Sequence, residues 1–238
     1  MTEPSEKPGT LKKLAEDASG FGMADLRLTR DLVLLPSRAM AAYDEHGSTG
    51  GGRYPRPLRY YLTLNGVFLL LMAMLGGMEQ VFTDLDTAGL FDELARFSGK
   101  SRDEFMADFD QWFSLLSVPV MTLTLVLPVF WLISRWSPLD WRRDLNQTFT
   151  FLNAWTLYQL PFTVWFFIDP GSYLAFGTGL MLVAALVVYG RVGAGRWWRT
   201  GGGAIGKGLV LALVILVAMA PAAVLTFAGA FAGAAYAP

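Results

Sequence analysis

From Arg53 to Gly77 the chain reads RYPRPLRYYLTLNGVFLLLMAMLGG, a basic, proline-broken approach that runs into an apolar stretch. A hydrocarbon core roughly 30 Å thick takes about 20 apolar residues of helix at about 1.5 Å each, and residues 60–77 come close to that. Basic residues beside a span stay on the cytoplasmic side. Arg53, Arg56 and Arg59 therefore place the amino end inside and stand as membrane-surface basic residues. Tyr60 and Tyr61 suit the interfacial belt. A chain that begins this way folds around lipid, and its composition agrees, with 53% hydrophobic and 16% charged residues.

Four further apolar runs follow at about 113–134, 147–168, 172–190 and 208–232. The turn Asp169-Pro170-Gly171 is short enough to make the third and fourth spans antiparallel neighbours. Between the first two spans, residues 78–112 carry nine acidic residues against Arg96, Lys100 and Arg102, and belong outside. Two short amphipathic helices are predicted there. One holds Leu90, Phe91, Leu94 and Phe97; the other starts at a Ser101-x-x-Glu104 capping box and leads into the second span. Sixteen of the nineteen basic residues fall in segments assigned inside, including Arg196 and Arg199 after the fourth span. The expected fold is an all-α integral membrane protein. It consists of a five-helix transmembrane bundle, an amino-terminal cytoplasmic amphipathic helix and a small helical extracytoplasmic cap. Residues 1–57 form the cytoplasmic region and 58–238 the membrane domain, with the carboxyl end outside.

Residues 1–10 read as a disordered tail with no signal-peptide core. A helix is expected from Ala24 to Tyr43, with Leu28, Leu32, Leu35, Ala39 and Ala42 on one face. Arg27, Arg30, Asp31, Arg38 and Glu45 lie opposite, and Pro36 should bend or split the helix. It either lies on the cytoplasmic leaflet or packs on the protein's own helix ends.

The third span is the most polar, with Thr148, Asn153, Thr156, Gln159 and Thr163 within roughly 140° of arc at about 100° per residue. Such side chains either hydrogen-bond between helices or, with Asn65 of the first span, line a polar groove for a ligand or lipid. In the fifth span Ala218, Ala222, Thr226, Ala230 and Ala234 recur every fourth residue, and Gly229 with Gly233 forms a GxxxG pair. Small residues at that spacing form a close packing face for another helix, in this chain or in a partner.

The exclusions are as informative. The chain has no cysteine and one histidine, so thiolate sites, disulfides and histidine clusters are ruled out. Net charge is -1, which gives nucleic acid no electrostatic hold. GGGAIGK at 201–207 matches a phosphate loop by letters but lacks the following Ser or Thr and reads as a flexible loop. Asp84 and Asp86 read as solvated loop, without further ligands for a cation. The five spans contain no Asp, Glu, Lys, Arg or His, which argues against ion-coupled transport. No catalytic residue, metal or cofactor is expected.

The stretches LTRDLVLLPSRAMAAYDEHG and RYPRPLRYYLTLNGVFLLL, with the later run from Pro128 to Pro161, resemble a group of uncharacterised bacterial membrane proteins. That group is similar to the Yip/Yif proteins, and the resemblance covers residues 28–165. It implies five spans, a cytoplasmic amino end and a non-enzymatic role in membrane organisation, in a bacterial inner membrane. The zinc ribbon carried by many members of the bacterial group is missing from this cysteine-free chain. The expected function is that of an accessory, assembly or scaffold subunit whose partners are the bilayer and other membrane proteins. The alternative is binding or passage of a small molecule or lipid beside the third span. An enzyme built on the outer carboxylates Asp84, Asp86, Asp103 and Asp108 comes third.

Overall fold

The computed structural model describes residues 22–78, 81 and 89–236, apart from the side chain of Leu174. Asp84 and Asp86 lie outside the described residues, as does the amino-terminal tail. Among the described residues the fold is helical, with a single isolated bridge between Ala194 and Trp198. The helices are α1 (Met23–Leu34), α2 (Pro36–His46), α3 (Pro57–Met74), α4 (Leu90–Ser98), α5 (Arg102–Trp136), α6 (Trp141–Ile168), α7 (Pro170–Gly193) and α8 (Gly201–Tyr236).

Among the described residues four helices are long and apolar enough to cross a membrane: α3, α5, α7 over Ala175–Gly193, and α8. The 28-residue α6 packs among them but does not reach the same apolarity. The cause is its first half, where Asp144, Gln147, Thr148, Thr150 and Asn153 are buried polar residues. They are covered by α1 and α2, which pack along α6.

Proline and local capping set the boundaries. Pro36 cannot donate a main-chain hydrogen bond, and the predicted Ala24–Tyr43 helix divides there into α1 and α2. At α5 the Ser101 hydroxyl accepts from Glu104 N while the Glu104 carboxylate accepts from Ser101 N at 2.9 Å. From that cap α5 runs unbroken for 35 residues, joining the expected short amphipathic helix to the second span. Asp169 links α6 to α7 and caps α7 by accepting from Ser172 N at 3.1 Å. Trp165 and Tyr173 meet edge-on across this turn at 5.9 Å.

Three expectations are corrected. Residues 201–207 are the first turns of α8, not a flexible loop: Thr200 caps them by accepting from Gly203 N at 3.2 Å, and Lys207 donates to the Trp197 carbonyl. Asp31, placed on the polar face, is buried at 1% exposure, because Tyr54 and two arginines reach it. Leu35, placed on the apolar face, is exposed, because the chain turns at Pro36.

Two cores result. One joins α1, α2, α3, α5, α6, α7 and the first half of α8, with Trp197 fully buried against Tyr189 and Phe151. The other joins α4, the start of α5 and the end of α8, with Met72 of α3 and Phe167 of α6. There the Phe231 ring lies tilted, 4.8 Å from Phe109 and 5.6 Å from Phe91.

Candidate functional site

The polar face of α6 continues past its covered first half into a cavity of about 310 Å³ between α3, α5, α6, α7 and α8. Its wall is mostly apolar and aromatic, with Phe68, Met72, Phe113, Trp155, Phe166 and Phe227 among the lining residues. A few polar groups converge on it: Asn65 from α3, Ser117 from α5, Thr156, Gln159 and Thr163 from α6, and Thr226 from α8. A largely apolar chamber with few polar groups is the usual form of a small-molecule site.

The hydrogen bonds separate structural from available groups. Asn65 Nδ2 donates to the Tyr61 carbonyl of its own helix at 2.7 Å. Thr163 Oγ1 donates to the Gln159 carbonyl at 3.3 Å. Ser117 Oγ donates to the Ser114 carbonyl at 3.3 Å. Gln159 Nε2 and Thr226 Oγ1 are buried without a protein partner. A buried donor without an acceptor costs about 1–3 kcal/mol, and both of these belong to residues that line the one cavity.

Asn153 stands apart from the other predicted groove residues. It does not line the cavity; its Nδ2 donates to the Pro57 carbonyl at 2.9 Å and ties α6 to the start of α3. The small-residue face of α8 packs within the chain. Ala218, Ala222, Thr226, Ala230 and Ala234 are all buried, and α5 runs antiparallel alongside. A Cβ at Gly229 would meet Leu116 at 2.7 Å, and one at Gly233 would meet Trp112 at 2.3 Å. Thr226 thus serves both the packing face and the cavity, which its place in the four-residue repeat did not disclose.

The basic residues divide as well. Arg53 donates to Asp31 at 3.3 Å and Arg59 to Asp25 at 3.0 Å, both holding α1 against the entry to α3. Arg196 donates to Asp44 at 2.8 Å, and Asp44 also accepts from Gln147 at 2.8 Å, while Gln147 accepts from Trp197 Nε1. Arg56 and Arg199 are exposed. Burial pushes the Asp31 carboxyl up, but the Tyr54 hydroxyl at 2.6 Å, the Arg30 bond and the charges of Arg30 and Arg38 outweigh it and hold its pKa below the ordinary value. Tyr54, buried and bonded to that carboxylate, is raised to about 12. Among the described residues no group of three or more acidic or histidine side chains is placed to hold a metal ion.

These features define a class: an all-helical protein whose long apolar helices fit a membrane. Comparison with protein-family models, with curated proteins and with solved structures gives no match.

Proposed function

We propose that this chain is a non-enzymatic integral membrane protein that holds a lipid or another apolar small molecule carrying a hydrogen-bond acceptor in the cavity beside α6. The observation that carries this reading is the pair of partnerless groups, Gln159 Nε2 and Thr226 Oγ1, on an otherwise apolar chamber. An ester or carbonyl group offers the kind of acceptor that each of them lacks, and the aromatic wall suits an acyl or ring portion. In this reading α6 is the fifth span. Its 28 residues are long enough at about 1.5 Å each, and its polar first half is shielded from lipid by α1 and α2. The concentration of lysine and arginine in three segments supports a cytoplasmic amino end and an external carboxyl end, which puts α4 in an outer cap; the resemblance to a bacterial group favours a bacterial inner membrane. Extraction in mild detergent followed by native mass spectrometry tests the binding. One retained lipid or small molecule per chain is expected, lost in the Gln159→Leu, Thr226→Val double variant. A parent protein that carries none after gentle extraction overturns the reading.

An accessory, assembly or scaffold role is a second reading, favoured by a separate apolar groove. It lies between α5 and α8 and is lined by Thr124 and Pro128 of the one and Leu213, Val217 and Pro221 of the other. Leu213 and Val217 are exposed, so a partner's transmembrane helix has a place to lie. Val217→Trp fills that groove and should cost the co-purification of a partner. A parent that purifies only as a monomer without companions counts against this role.

A further inference from the structure

The elbow between α1 and α2 presents three consecutive apolar side chains, Val33, Leu34 and Leu35, at 39%, 58% and 52% exposure. The helix that reaches it is apolar and exposed beside it too: on α7, Val187 and Val183 lie one and two turns before Arg191 on the same face. Along α7 the elbow therefore continues the outer apolar surface of the spans.

Its position along α6 is fixed by two contacts. Gln147 donates to Asp44 near the end of α2, and Tyr158 donates to the Val33 carbonyl at 2.8 Å. These two α6 residues are about 16 Å apart at about 1.5 Å per residue, which is the length of the whole 11-residue α2. So α2 runs along α6 instead of lying across its end. Tyr158 is also up to about 7 Å beyond Asn153, whose amide marks the start of α3 at Pro57. The elbow reaches past the level where the first span begins.

The main chain at the elbow is treated accordingly. A helix end leaves carbonyls without partners, and Pro36 removes one donor that would have continued the ladder. In water those carbonyls are solvated; at membrane depth the protein has to supply the donors. Here Arg191 donates to the Val33 carbonyl at 2.9 Å and also to the Leu34 carbonyl, while Tyr158 donates to Val33 as well. A guanidinium at a helix C-terminus is also favoured by the helix dipole.

We propose that the Val33–Leu35 elbow is embedded in the acyl-chain edge of the leaflet on the amino-terminal side, with Arg191 and Tyr158 satisfying its carbonyls. The partner is the lipid itself. This rests on the membrane reading of the long helices, not on the cavity's ligand. The chain lacks cysteine, so single cysteines at Leu34, Leu35, Ser48 and Leu70 can each carry a spin label. Leu70 is an exposed apolar residue of α3 and Ser48 an exposed residue of the turn after α2. In vesicles of phosphatidylcholine and phosphatidylglycerol, collision with oxygen and with a nickel chelate is measured by power saturation. The oxygen-to-nickel ratio at Leu34 and Leu35 should exceed that at Ser48 severalfold and approach, from below, that at the deeper Leu70. Leu34 and Leu35 behaving like Ser48 while Leu70 reports lipid overturns the elbow's insertion alone. All four sites reporting water overturns the membrane reading with it.

Discussion

Gly233 of α8 stands so close to Trp112 of α5 that a Cβ on the glycine would lie 2.3 Å from the indole Cγ. No side chain fits there without moving one helix or the other. Gly233→Ala is expected to destabilise the protein by about 1–3 kcal/mol, the usual cost of overpacking a tight contact. Gly229→Ala meets only the mobile end of Leu116, at 2.7 Å, and should cost less. Thermal unfolding in detergent checks the order. Combining Gly233→Ala with Trp112→Leu should recover much of the loss relative to Trp112→Leu alone.

Asp44 joins three elements through Gln147 of α6 and Arg196 beyond α7, both at 2.8 Å. Its side chain is 18% exposed and that of Arg196 is 23% exposed, so solvent only partly screens the pair. A double-mutant cycle of Asp44→Ala and Arg196→Ala should give a coupling of about 0.5–3 kcal/mol. Additive losses would mean that the ion pair does not hold the hairpin.

Stability should respond to acid in a predictable sense at Asp31. Its folded pKa lies below the ordinary carboxyl value, so its contribution is complete above that value and is lost as pH falls through the depressed one. The wild-type protein should therefore lose stability below about pH 4, and Asp31→Asn should be less stable at neutral pH but flatter in that range. Melting curves of the parent and Asp31→Asn from pH 3 to 8 check both statements.

Thr226→Val keeps the shape of the side chain and removes a buried hydroxyl that has no protein partner. Without ligand it should be neutral or stabilising by up to about 1–3 kcal/mol. With ligand present it should weaken retention, as should Gln159→Leu. Asn153→Leu is the contrasting case: it breaks the bond to Pro57 and should lower stability while leaving retention unchanged. Ligand content of the folded fraction, by mass spectrometry, separates these outcomes. Loss of retention in Asn153→Leu alone would move the site away from the cavity.

The apolar helices were legible because their signal is local. Their lengths, Pro36 and the Ser101–Glu104 cap each act within a few residues of chain. What escaped a linear reading depends on distant partners. Asp31 looked solvated because Tyr54, which buries it, lies in the approach to α3. Residues 201–207 looked flexible from their glycines, yet Thr200 and Lys207 fasten them as helix. Asn153 and Gln159 share one face of α6, but only Gln159 reaches the cavity, since α3 begins beside Asn153. Helical phase gives the face and not which neighbour covers each level of it.

Asp44 and Arg196 also set an order of assembly. They are separated by 152 residues, and Val33 and Arg191 by 158, whereas Asp31 and Arg53 are only 22 apart and Asp25 and Arg59 only 34. At about 5–20 residues per second α1 meets the start of α3 at once, while α2 and the elbow wait many seconds before α7 exists to receive them. Their contacts with Arg191 and Arg196 close only on a nearly finished bundle, which makes them a late seal on the helices already assembled.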